Sequence, residues 1–408
     1  MNVSVADGAL PRRRHIALVV ALGVLQTLST FTIDIYLPAF PHIASEFGVA
    51  ESAIQFTFTG GMIGMVAGQF FVGPTSDAYG RKRPMLIATA LHVAASIACA
   101  FAMSVPMLVA ARIVQGAASG ATGVIALAMV RDLYSGYRMM RMLASMSLIS
   151  GMAIAVGPLL GSTLLAVMPW RGLFGALAIY GLVVGAVVVL IVGETLPETR
   201  RHTGGVRELL RGMRTVVGDR AFVGLVLVTS CAWGAMYCYL AASSFLFQGV
   251  YGANETQYGW LFASHALLML AGTQLGARIA HRIEPRRIVM VSTAGLALSA
   301  GGILLAGVVA PSSLANVMVP LWAFTFFLGV NTPCVQAMAL SRHGDHAGSA
   351  SSLLNATRQG FGAIGAPLTG LIGLDSVVPL GWVMASLQVV ALVVLWVVVR
   401  PQHLEPID

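Results

Sequence analysis

Charged residues are scarce in this chain. Its 408 residues include 24 basic and 16 acidic side chains, which together make up 10% of the sequence. A soluble chain would carry about 25% charged residues, because a surface in contact with water needs them. The shortage excludes an ordinary cytosolic enzyme, a disordered chain and a small secreted domain held by disulfides. Most of the surface must therefore face a solvent other than water.

Cysteine is also rare. Four cysteines lie in apolar stretches, without paired spacing and without nearby histidine ligands: Cys99, Cys231, Cys238 and Cys334. We interpret them as packing residues, and we expect neither disulfides nor a metal site. The sequence also lacks a phosphate-binding glycine loop followed by lysine, a serine nucleophile turn and a metal-binding cluster. We therefore expect no cofactor, and an ATP-driven pump or a membrane enzyme is disfavoured.

Long apolar runs account for most of the chain. The sequence is 57% hydrophobic, and its mean hydropathy is +0.83. A helix needs about 20 apolar residues to cross the hydrocarbon core of a bilayer. Twelve runs of suitable length lie near 16–38, 53–74, 84–104, 107–130, 142–166, 171–192, 221–245, 257–280, 287–309, 314–338, 348–372 and 377–399. The division between the third and fourth runs depends only on Ser104 and Pro106. The first run has no small-residue cleavage site, so we interpret it as an uncleaved span.

The basic residues predict the orientation of these spans. Twenty-one of the 24 lie on one side of the membrane if the spans alternate in direction. The opposite loops at 39–52, 246–256, 310–313 and 373–376 contain no lysine or arginine. By the positive-inside rule, both termini are cytoplasmic. The positive charge thus reflects topology, and we expect a lipid bilayer rather than nucleic acid as the partner.

The polar stretch in the middle divides the chain into two halves. The predicted regions are an N-terminal six-helix bundle over 1–192, a cytoplasmic linker over 193–220 and a C-terminal six-helix bundle over 221–408. In the linker, Arg207, Arg211 and Arg214 recur at helical spacing. This spacing fits an amphipathic helix on the cytoplasmic leaflet, and it fits a solvated connector equally well.

A short internal repeat supports the division into halves. Gly151, Pro158 and Gly161 in the fifth span recur 209 residues later as Gly360, Pro367 and Gly370 in the eleventh. Repeated halves are typical of transporters. The predicted fold class is an all-α integral membrane protein with 12 transmembrane helices in two pseudo-symmetric six-helix bundles.

The loop between the second and third spans carries a recognisable motif. Gly73, Asp77, Gly80, Arg81 and Arg83 occur at the spacing of G-x-L-x-D-R-x-G-R-K/R, so the loop resembles the signature of the major facilitator superfamily. The usual leucine and arginine are replaced by Thr75 and Ala78. The acid attracts the neighbouring cations, and such a cluster can hold one conformation that must break during switching. We predict a role in conformational gating.

Two further motifs agree with this family. Arg112, Gln115 and Gly116 in the fourth span are similar to its R-x-x-Q-G element. The fifth-span set resembles the motif of proton-driven antiporters, in which small residues and a proline let helices approach and bend. That antiporter motif consists of Gly151, Gly157, Pro158 and Gly161. Ordinary packing of small residues is the alternative interpretation.

Several short segments resemble the Bcr/CflA branch of bacterial drug:proton antiporters. They begin at Thr32, Arg131, Trp170 and Glu194, with sequences Thr-Ile-Asp-Ile-Tyr-Leu-Pro, Arg-Asp-Leu-Tyr, Trp-Arg and Glu-Thr-Leu-Pro-Glu. The resemblance implies proton-coupled efflux of small, mostly apolar drugs, such as phenicols or bicyclomycin-like compounds, by a monomer in the bacterial inner membrane. A proton-coupled exporter of a native sugar or amino acid is the alternative within this fold. An uptake symporter is less favoured because of the fifth-span motif, and a non-transporting membrane protein is the alternative outside this class.

Asp34 is the leading candidate for proton coupling. Ionisable groups inside the membrane are costly and are therefore functional candidates. At about 1.5 Å per residue, Asp34 and Arg112 lie at a similar depth and could form an ion pair. Burial in lipid favours the neutral form of a carboxyl group, whereas a nearby arginine favours the ionised form. Small rearrangements could therefore load or release a proton. The alternative is that Asp34 only caps the outer end of its span.

Other polar residues of the spans are candidates for substrate binding. Arg358 lies near mid-membrane in the eleventh span, where it either binds a polar or anionic substrate group or has a structural role. His265 could shuttle protons or bind substrate, and a packing histidine is the competing interpretation. The remaining candidates are Gln26, Tyr36, Gln115, Tyr237, Asn331, Asn355 and Gln359.

Overall fold

The computed structural model describes residues 12–134, 136–201, 211, 213–341, 347–400 and 402, and within them the chain is helical without strands. This described part contains twelve long helices and one short helix, α2, which follows the first. The helices are α1 (Arg12–Asp34), α2 (Phe40–Phe47), α3 (Glu51–Tyr79), α4 (Lys82–Ala100), α5 (Val105–Leu133), α6 (Gly136–Leu165), α7 (Trp170–Leu190), α8 (Arg220–Ser244), α9 (Glu255–Ile279), α10 (Pro285–Val309), α11 (Leu314–Ser341), α12 (Ala347–Ile372) and α13 (Val378–Val394). The order matches the twelve predicted spans.

Ten helices in the described part are long and apolar enough to cross a membrane. The other two long helices, α9 and α12, have 25 and 26 residues, and their polar side chains lower their hydropathy. Large apolar side chains point outwards, as shown by Leu190 at 81% exposure and Leu298 at 78%. Polar side chains such as Gln55 and His92 are buried. This distribution is the reverse of a soluble protein and fits a lipid environment.

The division between the third and fourth spans is confirmed. Helix α4 ends at Ala100 and α5 begins at Val105. The side chain of Ser104 accepts a hydrogen bond from the backbone N–H of Met107 at 3.4 Å, and Pro106 occupies the first turn. Serine at the N-cap followed by proline starts a helix because the first N–H groups have no partner within the helix. These two residues therefore end one span and begin the next.

The helices form two compact units. Within the described residues, the first unit comprises residues 12–36 and 60–201, and the second comprises residues 37–59 and the chain from residue 211 onwards. The sequence division at 192 and 221 did not indicate that the segment 37–59 packs in the second unit. The predicted amphipathic helix of the linker falls largely on 202–210 and 212, which lie outside the described residues.

Hydrogen bonds explain why the segment 37–59 belongs to the second unit. The side-chain amide of Gln55 donates to the carbonyl of Ala241 at 3.2 Å, and its oxygen accepts from the N–H of Gly370 at 3.0 Å. Thr59 donates to the carbonyl of Ala363 at 2.9 Å. A fully buried amide is stable only when it is hydrogen-bonded, so these contacts fix the start of α3 against α8 and α12.

Glycines allow the same close helix packing inside each unit. A Cβ on Gly64 would overlap the carbonyl group of Ile113, so α3 and α5 are in backbone contact. A Cβ on Gly272, 208 residues later, would overlap the carbonyl of Phe326, which brings α9 and α11 equally close. Small residues permit this approach in membrane helices. The packing repeats in the two halves, as the internal sequence repeat predicts.

This packing predicts the effect of adding one methyl group. Gly64→Ala and Gly272→Ala are expected to destabilise the protein by about 1–3 kcal/mol or more, because the helices must separate. Gly301→Ala, at an exposed glycine with no heavy atom within 4 Å of an added Cβ, is expected to be neutral or slightly stabilising. All four cysteines are free and buried, so a thiol-reactive fluorophore can report thermal unfolding. Equal melting temperatures for the three variants would contradict the packing.

Candidate functional site

Arg112 is fully buried on α5 and is held by polar groups of two helices. Its Nη1 donates to the carbonyl oxygen of Thr32 at 2.8 Å and to Oε1 of Gln115 at 2.5 Å. Its Cζ lies 4.1 Å from the centroid of the Tyr36 ring. A cation over an aromatic face is attracted by the electron-rich ring, and the attraction strengthens away from water. Three predicted site residues, Tyr36, Arg112 and Gln115, are thus brought together.

A chain of hydrogen bonds continues from Gln115 and Thr32 into α4. Gln115 donates through Nε2 to Oγ of Ser96 at 2.7 Å, and Ser96 donates to the carbonyl of His92. The hydroxyl of Thr32 lies 2.9 Å from Nε2 of His92 and donates its only proton to the carbonyl of Leu28. His92 must therefore be the donor at Nε2. The network ties α1, α4 and α5 into one rigid polar cluster.

The expected ion pair between Asp34 and Arg112 is not formed. Within the described residues, Asp34 has no ion pair, although its side chain is only 5% exposed. The reason is the direction of the side chains. Thr32 and Tyr36 lie one turn apart on the face of the chain that meets Arg112, whereas Asp34 lies about 200° around the helix from Thr32. A shared depth in the membrane does not bring two groups onto one face.

Asp34 contacts α6 instead, at the antiporter motif. A Cβ on Gly157 would lie 3.0 Å from Cβ of Asp34 and 3.5 Å from Cδ1 of Phe31. Gly157 and the adjacent Pro158 are buried within α6. The absence of a side chain at Gly157 therefore leaves the space that Asp34 occupies. Two features that the sequence identified separately, the acid of α1 and the glycine–proline pair of α6, are in contact.

Arg81 lies between α3 and α4 and is the centre of the gating motif. Its Nη1 donates to Oδ1 of Asp77 at 2.6 Å and to the hydroxyl of Ser76 at 2.8 Å. Its Nε donates to Oδ2 of Asp132 at 2.8 Å, and Thr195 donates to the same oxygen at 3.0 Å. Burial alone lowers the pKa of Arg81, but the two carboxylates outweigh it and raise the pKa above the usual value. Arg81 remains a cation that joins α3, α5 and the segment after α7.

Glu194 caps the beginning of α4, although it lies 113 residues after Arg81 along the chain. Its Oε1 accepts from the backbone N–H of Arg81 at 2.9 Å, and its Oε2 accepts from that of Lys82 at 3.1 Å. The N–H groups of Thr195 and Leu196 also donate to Oε1. Burial raises the pKa of Glu194, but the four backbone donors prevail and hold the pKa below its usual value. A carboxylate at a helix N-terminus is also favoured by the helix dipole.

The two glycines of the gating motif differ in their surroundings. Gly80 has φ +87°, and an added Cβ would lie 2.6 Å from Oε2 of Glu194. An added Cβ on Gly73 would meet no heavy atom within 4 Å. Only Gly80 is therefore required by backbone conformation and by packing. Arg83 is exposed, in contrast to Arg81.

Arg358 is half-buried on α12 and stacks on Trp233 of α8. Its Cζ lies 4.5 Å from the centroid of the indole ring. The indole N–H donates to the hydroxyl of Thr332 on α11 at 3.2 Å, and the ring of Tyr237 lies 5.7 Å from that of Trp233. Among the described residues, no carboxylate and no hydrogen-bond acceptor contacts the guanidinium of Arg358. Arg358 is therefore a cation without a counter-charge among the described residues.

His265 lies on α9 in a separate aromatic cluster of the second unit. Its ring centroid is 5.0 Å from that of Tyr239, and Tyr239 stacks on Phe262 at 6.4 Å. His265 and Tyr239 are both 1% exposed. Among the described residues, the two ring nitrogens of His265 have no hydrogen-bond partner. The hydroxyl of Tyr239 has none either. These three polar atoms are buried in apolar surroundings.

The other substrate-binding candidates have varied positions. Asn331 is 1% exposed and donates to Ser292 and Thr293 of α10, a contact that joins two helices. Gln359 is also buried, and Asn355 lies half-buried one turn before Arg358. Tyr237 fills the space left by Gly362 on α12. Oε1 of Gln26 lies 3.7 Å from an added Cβ on Gly123 of α5. The remaining members of the antiporter motif, Gly151 and Gly161, lie on α6 on either side of Pro158 along the chain.

Several residues of these clusters were not identified as site residues from the sequence. They are Thr32, Ser96, Asp132, Glu194, Trp233 and Thr332. Asp132 and Glu194 were noticed only as parts of branch-specific segments. Their acidity on the side of the predicted membrane that carries Arg81 was a usable signal. No group of three or more histidine, cysteine or acidic residues suited to a metal ion occurs in the described part of the chain.

In the described part of the chain, twelve long helices with apolar outer faces and buried polar clusters define a multi-pass membrane protein of the transporter class. The chain belongs to the Major Facilitator Superfamily, whose family model matches residues 22–367. The family identifies it as a transporter rather than an enzyme. The motifs at Gly73 and Arg112 thus indicated the correct family.

Similar proteins agree with this assignment. The chain is 30% identical to "Uncharacterized MFS-type transporter YdgK" of Bacillus subtilis over 91% of its length and 92% of that protein. It is 26% identical to "Bicyclomycin resistance protein homolog" of Haemophilus influenzae over 91% of its length and 94% of that protein. The structure of a bacterial homologue of the human lysosomal transporter Spinster, inward-facing and unoccupied, matches with a TM-score of 0.75 and 13% identity, covering 96% of this chain and 98% of that chain. At that identity the structural match shows the fold alone.

The gating motif predicts different outcomes for its two glycines. Gly80→Ala is expected to lower the thermal stability by about 1–3 kcal/mol, because it places a side chain at positive φ and displaces Glu194. Gly73→Ala is expected to leave stability unchanged or to raise it slightly. Unfolding of the purified variants in detergent measures both effects. A Gly80→Ala protein as stable as Gly73→Ala would show that the Glu194 cap contributes nothing.

Proposed function

We propose that this transporter exports small, mostly apolar drugs, including phenicols or bicyclomycin-like compounds, in exchange for protons. The observation that carries the proposal is the buried side chain of Asp34, whose Cβ lies against Gly157 of the antiporter motif and whose carboxyl group has no ion pair in the described chain. The name of the Haemophilus influenzae relative supports bicyclomycin-like compounds as candidates. The proton gradient drives transport, and no cofactor takes part.

Asp34 is the proton carrier in this proposal. An ionised carboxylate is costly to bury without a cation, so the surroundings of Asp34 fit its neutral, protonated form. The side chain is at the end of α1, where the helix gives way to a turn at Ile35 and Tyr36. Movement at this point can change the face that Asp34 presents without unfolding the helix. Loss of the proton therefore creates a buried carboxylate that needs a cation or hydrogen-bond donors for its stabilisation.

Arg112 can supply that partner. Its Nε and Nη2 are buried without a hydrogen-bond partner among the described residues, whereas Nη1 is already bonded to Thr32 and Gln115. A deprotonated Asp34 that rotates toward α5 would satisfy these nitrogens and leave its place beside Gly157. Protonation and drug binding then favour different arrangements of α1. This difference links proton entry to export, because a ligand shifts an equilibrium only through its unequal affinity for the two states.

The orientation of the transporter follows from its charges. With the basic loops in the cytoplasm, both termini and the Arg81 cluster lie on the cytoplasmic side of the bacterial inner membrane. Arg81 with Asp77 and Asp132 holds α3, α4 and α5 together at that side. We propose that this cluster stabilises one conformation and rearranges during switching, and that the protein acts as a monomer.

Replacement of Asp34 by asparagine tests proton coupling. The asparagine amide keeps the size of the side chain but cannot exchange a proton, so drug-dependent proton movement is expected to fall about tenfold or more. Everted membrane vesicles that contain a pH-sensitive dye measure it after addition of chloramphenicol or bicyclomycin. Asp375→Asn removes an exposed loop carboxylate and is expected to behave as wild type.

The same assay separates the alternatives. Undiminished drug-dependent proton movement in Asp34→Asn would refute Asp34 as the carrier. Expression in a pump-deficient bacterium, with and without a protonophore, tests the substrate class. Resistance that the protonophore abolishes is expected, whereas no resistance to any drug would favour an exporter of a native sugar or amino acid.

A further inference from the structure

Arg358 is unusual because the helices around it offer no counter-charge. In the six long helices after the linker, α8–α13, the only acidic residue is Glu255, at the first position of α9. The guanidinium of Arg358 has no acceptor among the described residues, and its Nε is buried. Burial of an unpaired cation is costly. Stacking on Trp233 offsets part of this cost, but it leaves the hydrogen-bonding edge of the guanidinium without an acceptor, and that edge requires an explanation.

The guanidinium lies against an aromatic platform that is itself anchored by hydrogen bonds. Trp233 covers one face, and the indole N–H is anchored to the hydroxyl of Thr332, which in turn donates to the carbonyl of Leu328 at 2.8 Å. A stacked guanidinium keeps its N–H groups at the edge of the plane. That edge matches the two oxygens of a carboxylate, which accept parallel hydrogen bonds.

A second arginine–tryptophan stack shows that stacking alone is not the signal. Arg171 lies 4.3 Å over Trp170 in the first unit, and its Nη2 donates to the carbonyl of Ala102 at 3.0 Å. That arginine has an acceptor from its own chain at a helix end. Arg358 lies at a similar distance from its tryptophan ring but has no acceptor among the described residues, so its hydrogen-bonding edge is available to a ligand.

Aromatic rings continue from the platform. Tyr237 lies one turn after Trp233, and its ring is 6.3 Å from that of Phe58 within the same unit. Asn355 lies one turn before Arg358 on the same face of α12. A ligand that combines a negative group with a flat apolar body would fit this series of a polar amide, a cation and aromatic rings.

We propose that Arg358 on Trp233 is an anion subsite, so that the substrates include flat organic molecules that carry a carboxylate. The proposal rests on the proposed function, since it names the chemical class that the exporter accepts. Trp233 and Thr332 are positioning residues that hold the guanidinium in place. Tyr237 provides the adjoining apolar surface.

Binding of a matched pair of probes tests the subsite. 2-Naphthoate and 2-naphthamide share their ring system, and only the first is charged at neutral pH. With the full-length protein in lipid nanodiscs, titration calorimetry is expected to show about tenfold or more tighter binding of 2-naphthoate to wild type. Arg358→Gln is expected to lose this preference and to keep its affinity for 2-naphthamide. Arg358→Lys is expected to retain part of it, since the charge remains but the planar fork does not.

The control variant is Arg171→Gln, which alters the other stack and is expected to keep the preference. Retained binding of 2-naphthamide shows that Arg358→Gln is folded. Equal affinities for the two probes in wild type, failure of wild type to bind either probe, or a preference that survives in Arg358→Gln would overturn the subsite.

Efflux measurements separate the two proposals. If neutral drugs are exported in exchange for protons but wild type shows no preference for 2-naphthoate, only the subsite is refuted. If the preference is intact but export is insensitive to a protonophore, only the proton coupling is refuted.

Discussion

The cost of burying a charge in a membrane protein governs the arrangement of this chain. Arg112 is stabilised by Thr32, Gln115 and the ring of Tyr36, and Arg81 is stabilised by two carboxylates. Asp34 and Arg358 are the exceptions, because neither side chain has an ion pair or a hydrogen bond among the described residues. The stabilised charges hold neighbouring helices together. In the proposed mechanism, Asp34 and Arg358 are the groups at which a proton or a substrate changes the relative free energy of two conformations.

The close contact between α1 and α6 gives this constraint a mechanical consequence. Gly157 has no side chain, so Asp34 can lie against α6, and Pro158 leaves a gap in the helix hydrogen bonds beside it. In the proposed mechanism, a change in the protonation of Asp34 would act directly on the helix that carries the antiporter motif. The glycine contacts between α3 and α5 and between α9 and α11 hold other helices of each unit in close packing.

Hydropathy was sufficient to predict the helices, because a span needs only a run of apolar residues and a start signal such as Ser104 with Pro106. The contact of Asp34 with Gly157 rather than Arg112 could not be predicted, since the depth of a residue does not define the face on which it lies. The motif indicated Asp77 as a partner of Arg81, but its pairing with Asp132, which is 51 residues away along the chain, had only the shared side of the predicted membrane as a signal. Trp233 carries no sequence signal that points to Arg358, since the two meet only through the packing of α8 on α12.

The number of protons released when a drug binds tests the central claim most directly. The purified protein is mixed, in weakly buffered detergent solution, with a drug that the efflux assay has identified, and a pH indicator follows the release. The account predicts that wild type releases up to one proton for each drug bound and that Asp34→Asn binds the drug without releasing any. Equal release by the two proteins, or binding to wild type without release, would contradict the claim that Asp34 couples protons to export.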